Sequence, residues 1–440
     1  MQNIDTLISS RWTIPVLPAN TVLDNHALAI DKGKIVQILP SSQASNLYQA
    51  KQTIVLDRHA LIPGLVNAHT HAAMTLFRGM ADDMSLDHWL QQRIWPAESR
   101  WVSESFVADG CLLAFAEMLR SGTTCFADMY YFPDIVARTA KQAHIRACVG
   151  LIVLDFPTVW ANDAAEYLHK GTALHDQLHH EALASTIFAP HAPYTVSDEP
   201  LRKIATLADE LEIPIMCHIH ETAQEIEDAV QQTGRRPLQR LDDLGLLSPA
   251  LNAVHMTQLE KAEIARLAEA GAHVIHCPES NMKLASGFCP VAALLESGVN
   301  VALGTDGAAS NNDLDMFGEM RSAALLAKNV ANDASVVPGH TALAMATING
   351  ARALGLADDI GSLEAGKAAD IVAVDLNEIK TQPVYDPVSQ IVYAADSSQV
   401  SDVWVGGKRV LKQGELTTLN IDEIIHSANI WRDKIQARQD

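Results

Sequence analysis

From Pro63 onward, short apolar runs alternate with segments whose apolar residues recur at helical spacing. The runs cover 65–69, 123–128, 147–152, 186–191, 214–218, 252–255, 273–277 and 299–306. Helical patterns lie between them, among others at 103–120, 197–212, 258–270 and 291–297. Glycine follows several of these patterns, at Gly122, Gly271 and Gly298, where helix C-termini often need it. Eight strand–helix units in series predict an α/β fold, a parallel (β/α)8 TIM-like barrel. The near-continuous apolar character of the runs fits strands buried on both faces.

The flanks read differently. Ala27-Leu28-Ala29-Ile30 and Ile35-Val36-Gln37-Ile38 form strands around an Asp31-Lys32-Gly33-Lys34 turn. After Arg321 a long helical stretch runs to about Ala353, and strands resume at 370–374. A hairpin follows at 403–411, with Gly406-Gly407 as its turn. Strands at both ends predict a small β-sandwich domain built from the two termini. The expected boundaries are residues 1–62 for its first part, 63–360 for the barrel, 361–420 for its second part and 421–440 for a closing helix.

Composition narrows the class. The chain has 440 residues, 48% of them hydrophobic and 19% charged, enough for a globular protein with a large core. A formal charge of −21 argues against nucleic acid or an anionic membrane surface as partner, since binding phosphate needs Lys and Arg. It favours a small, neutral or cationic substrate. The six cysteines (Cys111, Cys125, Cys148, Cys217, Cys277 and Cys289) are scattered through apolar runs and read as reduced core thiols. The first twenty residues lack a basic start followed by an apolar stretch, and no segment is apolar for the length of a bilayer crossing. The expected location is cytoplasmic.

The candidate chemistry sits at the ends of the predicted strands. Pro63-Gly64-Leu65-Val66-Asn67-Ala68-His69-Thr70-His71 places two histidines at i and i+2, which a strand points to one face. His191 ends the fourth run, His218 the fifth, His255 the sixth and Asp306 the eighth. Active residues of a barrel gather at this rim. His69, His71, His218 and Asp306 suit one divalent ion, zinc or ferrous iron, with a position left for water. A metal so held lowers the pKa of that water toward neutrality. Glu221 follows His218 by three residues, within reach of the metal without ligating it, as a proton shuttle would be. His255 is placed to orient or polarise the hydroxide. His220 reads as a supporting or pocket residue, and His276 as either a loop anchor or a pocket wall. His26 and His59 read as surface or loop residues.

These motifs together resemble the amidohydrolase superfamily, and more closely its 5-methylthioadenosine/S-adenosylhomocysteine deaminases. The nearer match rests on His71-Ala72-Ala73-Met74-Thr75-Leu76-Phe77-Arg78-Gly79, Leu86-Asp87-His88-Trp89-Leu90, Trp95-Pro96-Ala97-Glu98, Pro190-His191-Ala192-Pro193-Tyr194 and Asp306-Gly307-Ala308-Ala309-Ser310-Asn311-Asn312. The resemblance implies one metal, most simply zinc, on His69, His71, His218 and Asp306. Glu221, His255 and Asp306 would carry the proton transfers. Glu98 would hold the ribose hydroxyls, His191 would touch purine or sugar, and Trp89 would form an apolar wall. Glu221 and Asp306 would also contact the substrate. The implied reaction is hydrolytic deamination of the adenine ring of 5′-methylthioadenosine, S-adenosylhomocysteine or adenosine. A guanine deaminase or a triazine chlorohydrolase-like enzyme is the alternative on the same scaffold. Besides a nucleoside, the partner left open is a second copy of the chain. One departure stands out: 149–155 contains no arginine to meet a homocysteine carboxylate, which favours methylthioadenosine or adenosine.

Overall fold

The computed structural model describes residues 1–437. The N-terminal strands are β1 (Gln2–Thr13), β2 (Leu23–Asp31), β3 (Lys34–Pro40) and β4 (Tyr48–Pro63). Eight parallel strands follow: β5 (Leu65–Thr70), β6 (Thr123–Asp128), β7 (Arg146–Val153), β8 (Ala184–Pro190), β9 (Ile215–Ile219), β10 (Leu251–His255), β11 (His273–His276) and β12 (Asn300–Leu303). The chain returns to the first sheet through β13 (Ile371–Asp375), β14 (Val400–Val405), β15 (Lys408–Lys412) and β16 (Glu415–Leu416). The result is a TIM-like barrel beside a sheet ordered β16-β15-β14-β13-β4-β1-β2-β3, so the two termini meet where β13 pairs antiparallel with β4. The closing helix runs Ile421–Gln436 and ties back through Trp431 Nε1, which donates to Asp109 Oδ2 at 2.8 Å. The last three residues expected in that helix lie outside the described residues.

A single residue, Gly64, separates β4 from β5 and so joins the two sheets. A Cβ there would fall 1.9 Å from Thr124 Oγ1, which only glycine avoids. Its N–H donates to the Asp370 carbonyl at 2.9 Å, so the start of the barrel is pinned to the returning chain. Side chains reinforce the meeting of β5 with the chain after β12. Asn67 Nδ2 donates to Thr305 Oγ1 at 2.8 Å, Thr305 N donates to Asn67 Oδ1 at 3.0 Å, and Asp306 N donates to the His69 carbonyl at 3.1 Å.

Several expectations need correction. The eighth run was expected to stay extended to Asp306, but β12 stops at Leu303 and Asp306 lies beyond it at φ 63°. The helical stretch to Ala353 is broken into Met316–Ala331, Gly339–Met345 and Ile348–Ala353, because Asn332 turns left-handed and Pro338 precedes the next start. The helix expected from Gln258 begins at Lys261, since Gln258 N is already committed to the His220 carbonyl and Glu260–Glu263 form the capping box. His59 is buried rather than at the surface, its Nε2 3.9 Å from Asp375 Oδ2. No helix among the described residues is long and apolar enough to cross a membrane.

Candidate metal centre and its cavity

β5 ends at Thr70, so His69 lies on the strand and His71 one residue past it. His218 comes from β9 and Asp306 from the turn after β12. Each imidazole is set by what its other nitrogen does. His71 Nδ1 donates to the Met129 carbonyl at 2.6 Å, and His218 Nδ1 donates to the His191 carbonyl at 2.7 Å. Both therefore turn Nε2 inward, the usual support for a ligating histidine. His69 Nδ1 lies 3.2 Å from Met216 Sδ, leaving its Nε2 to the same centre.

The four donor atoms lie within 4.8 Å of one another. His69 Nε2 is 3.0 Å from His218 Nε2 and 3.4 Å from Asp306 Oδ1, and His71 Nε2 is 3.1 Å from the same oxygen. Bonds of about 2.0–2.1 Å to one ion set neighbouring ligand atoms about 3 Å apart, so this His/His/His/Asp cluster is a metal-binding site of fitting size. Burial pushes His218 well below the ordinary histidine range, takes His69 down to about 4, and opposes charge on His71 too. Asp306 nevertheless lifts His71 to about 9. Burial would raise the Asp306 carboxyl, but its hydrogen bonds with His69 and His71 hold it well below the usual range. A carboxylate that so favours a proton on its neighbour favours a cation equally.

Glu221 and His255 stand beside the cluster. His255, at the end of β10 with φ 74°, faces Glu221 Oε2 at 3.7 Å and stacks on His218 with ring centroids 5.4 Å apart. Burial pushes the Glu221 carboxyl up, against the pull of His255. Its backbone is fixed by Glu225, whose carboxylate accepts from Glu221 N at 2.7 Å and His220 N at 3.1 Å. His220 does not reach the cavity. Its backbone turns left-handed (φ 56°) and its Nε2 accepts from Leu238 N at 3.0 Å, making it a buried anchor for the helix Pro237–Asp243. His276 is buried and does not line the cavity, so it too belongs to the packing.

A cavity open to solvent lies over the cluster. Trp89, Glu98, His191, Glu221, His255 and Asp306 all line it. Trp89 and Glu98 come from the helical segment that crosses the barrel mouth, Leu86–Trp89, Leu90–Ile94 and Trp95–Trp101. Nine residues apart on a regular α-helix, they would sit about half a turn out of phase. The middle piece is π-helical, and its wider turn narrows that difference; both side chains line the cavity. Burial pushes Glu98 up to about 7, against the pull of the Tyr130 hydroxyl beside it. Burial likewise takes His191 down to about 3, which keeps it neutral.

Met129, Tyr130 and Tyr131 also line the cavity and were not anticipated. They directly follow β6, so their place after a predicted strand end was the available signal. Asp128 was missed as well; it accepts from Ala72 N at 2.7 Å and Thr70 Oγ1 at 3.1 Å, bracing the two sides of His71.

Known proteins share this architecture and sequence. The Amidohydrolase family pattern matches residues 60–410. The 5-methylthioadenosine/S-adenosylhomocysteine deaminase of Teredinibacter turnerae is 52% identical over 436 residues, covering 99% of both chains. That of Saccharophagus degradans is 51% identical over 435 residues, covering 99% of this chain and 98% of its own. A crystal structure of an adenosine deaminase from Xanthomonas campestris with bound zinc superposes with a TM-score of 0.98, at 52% identity and 99% coverage of each chain. With matches that run nearly end to end, the chain belongs to the amidohydrolase superfamily and, within it, to the 5-methylthioadenosine/S-adenosylhomocysteine deaminase family.

Proposed function

We propose that the protein is a metal-dependent hydrolase that deaminates the adenine ring of 5′-methylthioadenosine and S-adenosylhomocysteine, converting it with water into the inosine analogue and ammonia. The observation that carries this reading is the convergence of a cluster for one metal, a buried carboxyl at Glu221 and a second buried carboxyl at Glu98 on one cavity. His69, His71, His218 and Asp306 hold the ion, and the zinc of the Xanthomonas campestris relative supports zinc as its identity. A divalent ion in such a site supplies a nucleophilic water near neutral pH.

The remaining work falls to the protein. Glu221, which burial shifts toward its protonated form, donates its proton to the ring nitrogen beside C6 as water attacks that carbon. His255 and Asp306 take up the first proton that the water loses and return it to the amino group, so that the C6–N bond breaks and ammonia departs. The proton left on the new C6 hydroxyl passes to the Glu221 carboxylate as the carbonyl forms, which restores the starting acid. Neutral His191 contacts the purine or sugar and Trp89 packs on the substrate. Glu98 accepts from the ribose hydroxyls, a role with no counterpart for guanine or a triazine. No arginine or lysine is among the cavity's described lining residues, whereas Leu90, Trp95 and Phe156 are. An apolar 5′-methylthio group suits that wall better than a charged homocysteine.

The test is ultraviolet absorbance with zinc-loaded protein and 5′-methylthioadenosine, adenosine, S-adenosylhomocysteine or guanine. The expected result is conversion of the adenine spectrum to that of hypoxanthine, fastest with methylthioadenosine. Turnover of guanine but of none of the three adenine nucleosides would overturn the reading.

A further inference from the structure

One short segment touches all three groups assigned to proton transfer. It begins with the helix Pro278–Lys283, directly after β11, and continues to Gly287. Ser280 Oγ donates to Asp306 Oδ2 at 2.6 Å. Asn281 Oδ1 faces His255 Nδ1 at 2.8 Å, and Ser286 Oγ approaches Glu221 Oε1 at 3.4 Å. Ser280 and Asn281 are fully buried, so these contacts do not compete with solvent. The segment is itself pinned. Thr257 Oγ1 donates to the Glu221 carbonyl at 2.6 Å, Gln258 Nε2 donates to the Ser286 carbonyl at 2.9 Å, and Lys283 Nζ reaches Asp82 Oδ1 at 2.6 Å.

We infer that this segment is the positioning device of the reaction, with Asn281 as its decisive residue, and the inference rests on the proposed function for its kinetic part. The Asn281 carbonyl oxygen accepts from His255 Nδ1–H. That bond selects the tautomer whose Nε2 carries the lone pair, and Nε2 is the nitrogen 3.7 Å from Glu221. Ser280 acts in parallel. Its hydroxyl, with that of Ser310 at 2.7 Å, occupies Asp306 Oδ2 and leaves Oδ1 to face His69 and His71. Asn281 and Ser280 are adjacent on one helical turn, so the spacing of His255 from Asp306 is set by one rigid piece. Such supporting partners typically change activity or metal affinity about 10–100-fold when removed.

Two readouts test this on zinc-loaded protein carrying 15N-histidine. Nitrogen–proton correlation spectra, with His255→Gln to assign the signal, are expected to show His255 protonated at Nδ1 and bare at Nε2. Protonation at Nε2 would mean that Asn281 offers its amide nitrogen, and would overturn the inference. In kinetics with 5′-methylthioadenosine, Asn281→Leu is expected to lower kcat about 10–100-fold with KM within about twofold and metal per chain unchanged. Asn281→Asp, which keeps an acceptor at that place, is expected to retain most of kcat. Equal losses in the Leu and Asp variants, or a change in KM alone, would also overturn it. Should the leucine variant not fold, Asn281→Ala removes the acceptor without added bulk and is read the same way. Failure of the wild-type enzyme on every adenine nucleoside would sink the functional reading, while the tautomer measurement would still decide the role of Asn281.

Discussion

At the scale of single residues, two buried carboxyls line one cavity and take different roles in the proposed reaction. Glu221 stands beside His255 and Asp306, and burial holds it toward the protonated form in which it can donate. Glu221→Gln preserves shape and removes the transferable proton. The expected outcome is unchanged metal per chain with kcat lowered about 10²–10⁴-fold, measured by metal analysis and the absorbance assay. A rate near wild type would take Glu221 out of the mechanism.

Glu98 lies farther from the cluster, and burial raises it from an ordinary 4.5 to about 7. A carboxyl whose folded pKa is raised binds its proton more tightly in the folded state. Its contribution to stability is then full below about pH 4.5 and lost as pH rises through about 7. Glu98→Gln cannot acquire that charge. In metal-stripped protein, its unfolding free energy relative to wild type, measured in denaturant, is expected to rise between pH 5 and pH 8 by about 1–3 kcal/mol. A constant gap across that range would refute the cause. The same variant is expected to raise KM for nucleosides, so here stability is set against binding.

At the scale of elements, the strand ends determine where chemistry can happen, and close backbone approach determines how well the site is held. Gly304 follows β12, and a Cβ there would lie 2.8 Å from His69 N and 2.9 Å from His69 Cβ. Gly304→Ala must push His69 or its own strand aside. A loss of about 1–3 kcal/mol in stability, together with weaker metal binding, is expected from thermal unfolding and metal titration. All eight barrel strands were legible from apolar runs because buried parallel strands carry little polar interruption. The residues just past them were legible only in part. His71, His191, Glu221 and Asp306 all lie beyond the last strand pair, where backbone turns and not side-chain alternation decide direction. His220, read as a supporting or pocket residue, is a supporting one: its left-handed backbone sends the ring to Leu238 instead of the cavity.

At the scale of the whole molecule, the barrel and the terminal sheet are clamped at the end opposite the metal cluster. Arg146, the first residue of β7, donates from Nε and Nη2 to Asp370 at 3.1 and 3.2 Å, and Asp370 also accepts from Gly406 N at 2.7 Å. Both charges are buried. Asp370→Ala would leave the guanidinium without its partner, and a loss of about 3–5 kcal/mol is expected in denaturant unfolding. The fraction that stays folded is expected to keep wild-type kcat, since the clamp lies at the strand starts. A fall in kcat at full folding would instead tie this end of the barrel to catalysis.

The sequence by itself determined the repeating strand–helix order, the return of the chain to a terminal sheet, and the identities of the four metal donors. Each of these depends on local pattern or on residue type, and both are written along the chain. Only the tertiary structure decided what the outer nitrogens of His71, His218 and His255 face, since Met129, His191 and Asn281 supply those partners from other elements. It also decided that Trp89 and Glu98 face one cavity, across a π-helical turn that no spacing rule for an α-helix anticipates. Segments distant in the chain meet at these points, and the energy of that meeting depends on packing and burial, which periodicity does not record.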